Sequence, residues 1–363
     1  MNKKNLLSYF NNASSKDWKD WRWQMNNRVR KTETLHQLFG KNLPDKDNLN
    51  KLNSIYPVNV SPYYLSLIND NVFEDPVGIQ CLPQAQEITA FQEYPHDPLE
   101  EENHMPSPKI INRYPDRCLA LVTENCATYC RHCNRKRLWA QPAGINFKKR
   151  LQHIARYLGA SEQIREVIIS GGDPLIYDDD KIEMILACFK AIPHVEILRI
   201  GSRSPVVMPM RITRKLCRLL KRYRPLWFNT QFNHASEITP DAARACNMLL
   251  ETGIPVSNQS VLLKGVNDSP QAMRDLLFGL QKISVRPYYL FHCEPARGCG
   301  HFRTDMKSSI KLMQDIRREC SGLALPQYVA DMPGDLGKIP LLALAEQPKD
   351  SLSKHQYFFD NFD

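Results

Sequence analysis

Between Cys118 and Asp331 the chain repeats one pattern, a short β-rich apolar run followed by a stretch with helical periodicity, and few folds satisfy it. The runs are CLALVT, EVIIS, EILRI, WFNTQF, SNQSVLL, PYYLFH and QYVAD, with stretches such as RITRKLCRLLKRY and TPDAARACNMLLETG between them. Gaps of roughly 25 to 40 residues suit a crossover helix that returns the chain to a parallel strand. Six or so such units predict an α/β fold, a partial or full β/α barrel, whose active site forms at the C-terminal ends of the strands. The runs end in polar residues. CLALVTENC enters a cysteine loop, EVIISGGDP ends in Gly-Gly-Asp, EILRIGSRSP ends in Gly-Ser-Arg, and PYYLFHCE ends at Glu294. WFNTQFNH and SNQSVLLKGVND end in Asn, Gln and His. Any one of these is ordinary turn chemistry. Their recurrence after successive strands predicts that they meet at one mouth.

The 363 residues suffice for one large core with an extension. Residues 1–110, rich in Trp, Asn and Pro, are expected to form a mainly helical N-terminal extension, 111–340 the barrel, and 341–363 a short C-terminal tail. The extension contains the helical stretch WRWQMNNRV and the segment FQEYPHDPLEEENHMPSP, whose breakers and acids read as loop. The N-terminus lacks the apolar stretch of a signal peptide, and no segment approaches the ~20 apolar residues of a membrane span. A cytoplasmic protein without a membrane partner is expected. Net charge is +9, yet the Lys and Arg residues are scattered without aromatic platforms. Phosphate-bearing cofactors or a solvated surface account for them, and no nucleic-acid partner is expected. In a reducing compartment eleven cysteines do not form a disulfide framework, and the eight scattered ones read as small apolar core residues.

Cys126, Cys130 and Cys133 differ from those eight. They stand at C-x3-C-x2-C spacing within CATYCRHCNRKR, directly after the first predicted barrel strand. Three thiolates can hold three irons of a [4Fe–4S] cube and leave the fourth iron open to an external ligand, whereas a structural cluster or zinc site normally has four protein ligands. Residue types leave two rivals, a zinc site completed by His132 or a distant cysteine, and a chance cluster of core thiols. The spacing and its place after the first strand resemble the radical S-adenosylmethionine (SAM) superfamily. RYPDR, YCRHCNRKR, ISGGDPL, IPHVEILRIGSRSPVV, NQSVLLKGVND, VRPYYLFHC, GHFRT and DMPGDLGK, in this order, resemble the lysine 2,3-aminomutase family from about Trp18 to Pro340.

That resemblance implies a partial (β/α)6-type radical SAM barrel that uses a [4Fe–4S] cluster, SAM and pyridoxal 5′-phosphate (PLP). Cys126, Cys130 and Cys133 then bind the cube, and SAM on the open iron yields a 5′-deoxyadenosyl radical that abstracts an unactivated hydrogen. Ser170, Gly171, Gly172 and Asp173 match the loop that receives the SAM amino group, and Gln259 is a further cofactor contact. Lys338 in PGDLGK is the catalytic, PLP-carrying lysine, although Asp335 and Leu336 replace family glycines. From the residues alone it reads as a surface lysine in a turn. Arg113, Tyr114 and Arg117 of RYPDR border PLP, with an ion pair to Asp116 or a neighbouring acid as the plain alternative. Arg135 matches the arginine that grips the substrate carboxylate, and Lys136 is expected to be peripheral.

Glu294 and Asp331 stand where lysine-specific members carry two aspartates and glutamate-specific relatives carry Lys and Asn. Two acids in a closed site require a cation. The expected activity is conversion of a basic L-α-amino acid, L-lysine first, to the β-amino acid (β-lysine). Arginine and ornithine stay open because Glu294 is one methylene longer than the family aspartate. A short relative that isomerises lysine for attachment to elongation factor P offers another role, and a catalytically degenerate iron–sulfur or zinc-binding protein is the non-enzyme alternative. A small amino-acid substrate, a reductant protein such as flavodoxin or ferredoxin, and a homo-oligomer complete the expected partners. With Ser269 after GVND and no cysteine beyond Cys320, no structural zinc is expected.

Overall fold

The computed structural model describes residues 8–10, 13–40, 43, 45–69, 71–72, 74–89, 94–139 and 146–344. Most of the expected tail, from 345 onward, lies outside the described residues. All seven apolar runs form strands: β2 Arg117–Thr123, β3 Glu166–Gly171, β4 Ile197–Gly201, β5 Leu226–Thr230, β6 Val256–Leu262, β7 Arg286–His292 and β8 Gln327–Met332. They pair in parallel in chain order. Two strands that the apolar pattern does not predict add antiparallel edges, β1 Ile110–Tyr114 on β2 and β9 Gly337–Pro340 on β8.

Each crossover carries a helix with a polar N-cap. Asn146, Asp178, Thr213, Thr239, Ser269 and Asp305 accept main-chain N–H groups at the starts of Phe147–Gly159, Asp179–Lys190, Arg214–Lys221, Pro240–Glu251, Pro270–Lys282 and Met306–Glu319. Strand alternation sorts the two faces. Val167, Ile169, Leu198 and Ile200 pack outward into the main core, while Ile168, Ser170, Arg199 and Gly201 line the lumen. A side chain ties the β1 edge to β8 and the turn that precedes β9. Arg113 reaches from β1 to Asp331 at 3.0 Å and donates to the carbonyls of Met332 and Gly334.

The N-terminal helices do not form a separate core. Trp18, Leu35, Tyr63 and Tyr64 belong to the same apolar cluster as Val167, Ile200 and Phe228 of the barrel. This layer also holds the cysteine loop by its main chain. Arg28 Nη1 and Asn59 Nδ2 donate to the Cys126 carbonyl at 2.7 and 2.9 Å. The amides of Tyr129 and Arg131 donate to the carbonyls of Asn59 and Gln80 at 2.7 and 2.8 Å.

The expectation that Lys136 is peripheral is overturned. Its ammonium is buried, 3.1 Å from Glu87, which also pairs with Arg131 at 2.7 Å. Arg137 pairs with Glu101 at 2.9 Å. Most of the basic run therefore neutralises buried acids of the extension, and only Arg135 of its members lines the cavity. Burial alone would raise the Glu87 carboxyl, but Arg131 and Lys136 hold it down to about 2. Its stabilising contribution is complete above the ordinary value of 4.5 and is lost as pH falls toward about 2. Glu87→Gln leaves two buried cations without their acid and should destabilise the fold by about 3–5 kcal/mol, read as a lowered Tm at neutral pH. An unchanged Tm would remove this ion triad from the account of the fold. Among the described residues no helix is long and apolar enough to cross a membrane.

Candidate active site

One cavity of about 570 Å³ opens in the barrel, and every site residue expected from sequence lines it. That volume falls within the ~300–1,000 Å³ of small-molecule sites. The predicted convergence of strand ends fails at two places. His234 turns to Ser236 and caps the short turn Ala235–Glu237, and Asn267 closes its own loop through Leu263 and Val261.

The three cysteines sit at the cavity wall. Burial pushes the Cys126 thiol well above its ordinary value, with Asp173 and the other two cysteines adding to the effect. Burial and then Cys130 raise Cys133 to about 12. Three thiolates here therefore require a multivalent cation, and a cluster that gives each sulfur a different iron fits them. A fixed cation is already present, because Arg203 Nη1 lies 2.8 Å from Cys130 Sγ. His132, the candidate fourth zinc ligand, directs Nε2 to the side chains of Gln231 and Asn233, each at 3.3 Å. Among the described residues no three His, Cys, Asp or Glu side chains converge as a single metal ion requires. The buried His132 Nδ1, on the same cavity wall as Cys130 and Cys133, has no hydrogen-bond partner among the described residues.

Next to the cysteines lies the loop after β3. Gly171 has φ +129°, and a Cβ there would fall 2.1 Å from the Thr123 carbonyl; at Gly172 it would fall 2.2 Å from that of Asn125. Two glycines let this loop lie directly on the chain entering the cysteine motif. Asp173 is committed internally. Its carboxylate accepts from Leu175 N, Ser202 Oγ, Arg203 N and Ser204 Oγ at 2.7–3.2 Å, joining the β3 and β4 loops. What the loop offers a ligand is its main chain and Ser170.

At the β1–β9 seam stands Lys338, on a strand and half-buried where a surface turn was the plain expectation. The β8–β9 register sets it directly opposite Asp331, with Nζ 3.0 Å from Oδ2. Tyr114 Oη is 3.4 Å from the same Nζ. Arg113 is occupied by Asp331 and two carbonyls, whereas Arg117 pairs with Asp116 at 2.7 Å and stacks 3.7 Å from the centre of the Tyr114 ring.

Arg135 is gripped by Glu101, which accepts from Nε at 2.9 Å and from Nη2 at 2.5 Å. Among the described residues nothing accepts from its Nη1. Glu294 is 8% exposed, and burial followed by the nearby Asp331 carboxylate raises it to about 7. Among the described residues no ion pair reaches it.

Sequence reasoning missed Glu101 as the partner of Arg135 and Arg203 as the cation on Cys130. GSRSP was visible as a polar strand end, but nothing local marks Glu101 within an acidic, breaker-rich segment.

Comparison with known proteins identifies the chain's relatives. The Radical SAM superfamily matches residues 121–277. Over 333 residues the chain is 42% identical to L-lysine 2,3-aminomutase of Clostridium subterminale, covering 92% of this chain and 80% of that one. L-lysine 2,3-aminomutase of Fusobacterium nucleatum subsp. nucleatum is 40% identical, covering 98% and 83%. Glutamate 2,3-aminomutase of Clostridioides difficile is 39% identical, covering 94% and 80%. Such identity across nearly the whole barrel and extension, with the cysteine triad on the cavity wall, places the chain in the lysine 2,3-aminomutase family of radical SAM enzymes, aminomutases that work with a [4Fe–4S] cluster and SAM.

Proposed function

We propose that the chain is a SAM- and PLP-dependent radical 2,3-aminomutase of a basic L-α-amino acid, with L-lysine as substrate. The observation that carries the specificity is Glu294, a buried carboxyl without an ion-pair partner among the described residues, raised to about 7. A buried acid of that kind is satisfied by a ligand cation. A glutamate side chain would instead bring a further carboxylate to Glu294 and Asp331.

When bound, the SAM-charged cluster and PLP supply the hydrogen abstraction and nitrogen transfer that no side chain can perform. Cys126, Cys130 and Cys133 would hold the cluster; Ser170, the Gly171–Gly172 main chain and Gln259 would hold SAM. Lys338 would carry PLP, and Arg117 and Tyr114, stacked on each other beside it, would border the cofactor. Arg113 has a positioning role, since its guanidinium is already shared between Asp331 and the β8–β9 turn. Arg135, aimed by Glu101, presents Nη1 to the substrate α-carboxylate. Glu294 and Asp331 receive the side-chain ammonium. Asp331 is held by Lys338 and Arg113, whereas among the described residues no ion pair reaches Glu294. A flavodoxin- or ferredoxin-type donor supplies the electron.

Lys338→Ala should abolish the visible PLP band of reconstituted protein and reduce turnover at least about a thousand-fold, while iron content stays at the wild-type level. A persisting PLP band with unchanged turnover would assign the cofactor to another lysine. The reaction itself is tested anaerobically with SAM, PLP, reductant and, separately, L-lysine, L-arginine, L-ornithine and L-glutamate. β-Lysine from lysine alone supports the proposal. A β-product from arginine or ornithine moves the substrate, and intact SAM in cluster-loaded protein overturns the mechanism.

A further inference from the structure

Arg203, in the loop after β4, has no part in the chemistry proposed above, yet it is the most heavily bonded cation at the cavity wall. Its Nη1 donates to Cys130 Sγ at 2.8 Å and its Nε to the Gln231 carbonyl at 3.0 Å. On the far side Nη2 donates to Gln80 Oε1 at 2.6 Å, Glu237 Oε1 at 2.7 Å and Tyr64 Oη at 3.1 Å. Glu237 is fully buried, and its Oε1 also accepts from Tyr64 Oη at 2.5 Å and Gln80 Nε2 at 3.2 Å. Gln80 and Tyr64 come from the N-terminal helices. A single buried ion pair therefore has its positive end on a candidate cluster sulfur and its negative end seated on the extension.

We propose that Arg203 is a positioning residue that sets the reduction potential of the cluster, with Glu237 as its counterweight. This rests on the reading that Cys126, Cys130 and Cys133 hold the cluster. Reduction adds one electron, and so one negative charge, to the iron, sulfide and thiolate unit. A guanidinium donating to a ligand sulfur in a low-dielectric wall stabilises that extra charge and raises the potential. The Glu237 carboxylate, one step farther from the cluster on the same axis, partly cancels that cation and lowers the potential. Opposite signs follow from the geometry. A merely structural role predicts something else, that loosening the wall at either residue shifts the potential in one common direction or not at all.

The test is an EPR-monitored redox titration of the anaerobically reconstituted full chain, with iron and sulfide measured in every sample. Arg203→Gln should shift the cluster midpoint downward, Arg203→Lys should shift it less because the charge remains, and Glu237→Gln should shift it upward. Should Arg203→Gln fail to fold or load, the sign for Glu237→Gln and the smaller shift for Arg203→Lys decide. Midpoints unchanged in loaded variants, or moved in the same direction by Arg203→Gln and Glu237→Gln, overturn the inference alone. A wild-type chain that takes up no cluster overturns the cluster reading with it.

Discussion

Replacing Cys126, Cys130 or Cys133 by alanine, one at a time, is expected to leave a folded protein that cleaves SAM at least about a thousand-fold more slowly than wild type. On the proposed reading each thiolate would hold one iron, so losing one would expose a second iron and loosen the whole cluster, and groups that act as a unit fail together. The fold survives because the loop is held through its main chain. The Cys126 carbonyl, the Tyr129 amide and the Arg131 amide carry the contacts to Arg28, Asn59 and Gln80, and none of these uses a thiol. Loss of a small, half-buried side chain then costs about 1 kcal/mol, a modest change in Tm. Iron and sulfide analysis beside a 5′-deoxyadenosine assay separates the two effects. His132→Ala supplies the contrast. It should keep its iron, because His132 faces Gln231 and Asn233, whereas a zinc site completed by His132 would lose its metal in that variant.

The seven parallel strands are legible because each is an apolar run five or more residues long whose flanks switch to helical period, two independent signals in register. β1 and β9 carry neither signal. IINRY ends in Asn-Arg-Tyr and GKIP has four residues and a proline, so both strands form only because β2 and β8 offer them a ladder. The site shows the same division. The cysteines are found by their spacing, and the glycine loop and Lys338 by the resemblance of the contiguous motifs that hold them. Their supports are acids contributed from elsewhere in the chain, Glu101 to Arg135 across 34 residues and Glu87 to Lys136 across 49. An acid in a breaker-rich segment reads as solvated until the fold places a cation against it. For that reason Lys136 reads as peripheral from the sequence, whereas it and Arg137 are buried ion-pair partners.

For L-lysine, kcat/KM should rise about tenfold per pH unit up to about pH 7 and then level off, and Glu294→Gln should erase that slope. Burial, and next the Asp331 carboxylate, raise Glu294 to about 7, so below that pH the carboxyl is neutral. A substrate ammonium then binds only by displacing the proton, a penalty of about 1.4 kcal/mol for each unit below the folded value. Glutamine keeps the shape and removes the anion, leaving a cation inserted against a neutral group. Breaking one side of such a pair costs about 3–5 kcal/mol, roughly two to three and a half powers of ten in kcat/KM. Stability should move the other way. A carboxyl that holds its proton more tightly folded than at its ordinary value of 4.5 stabilises the fold at low pH, and that contribution is lost as pH rises through about 7. At pH 8 the ligand-free Glu294→Gln protein should therefore melt above wild type even though it turns lysine over poorly. Retention of the pH slope in Glu294→Gln would assign the ionisation to another group and withdraw the physical basis for a basic substrate.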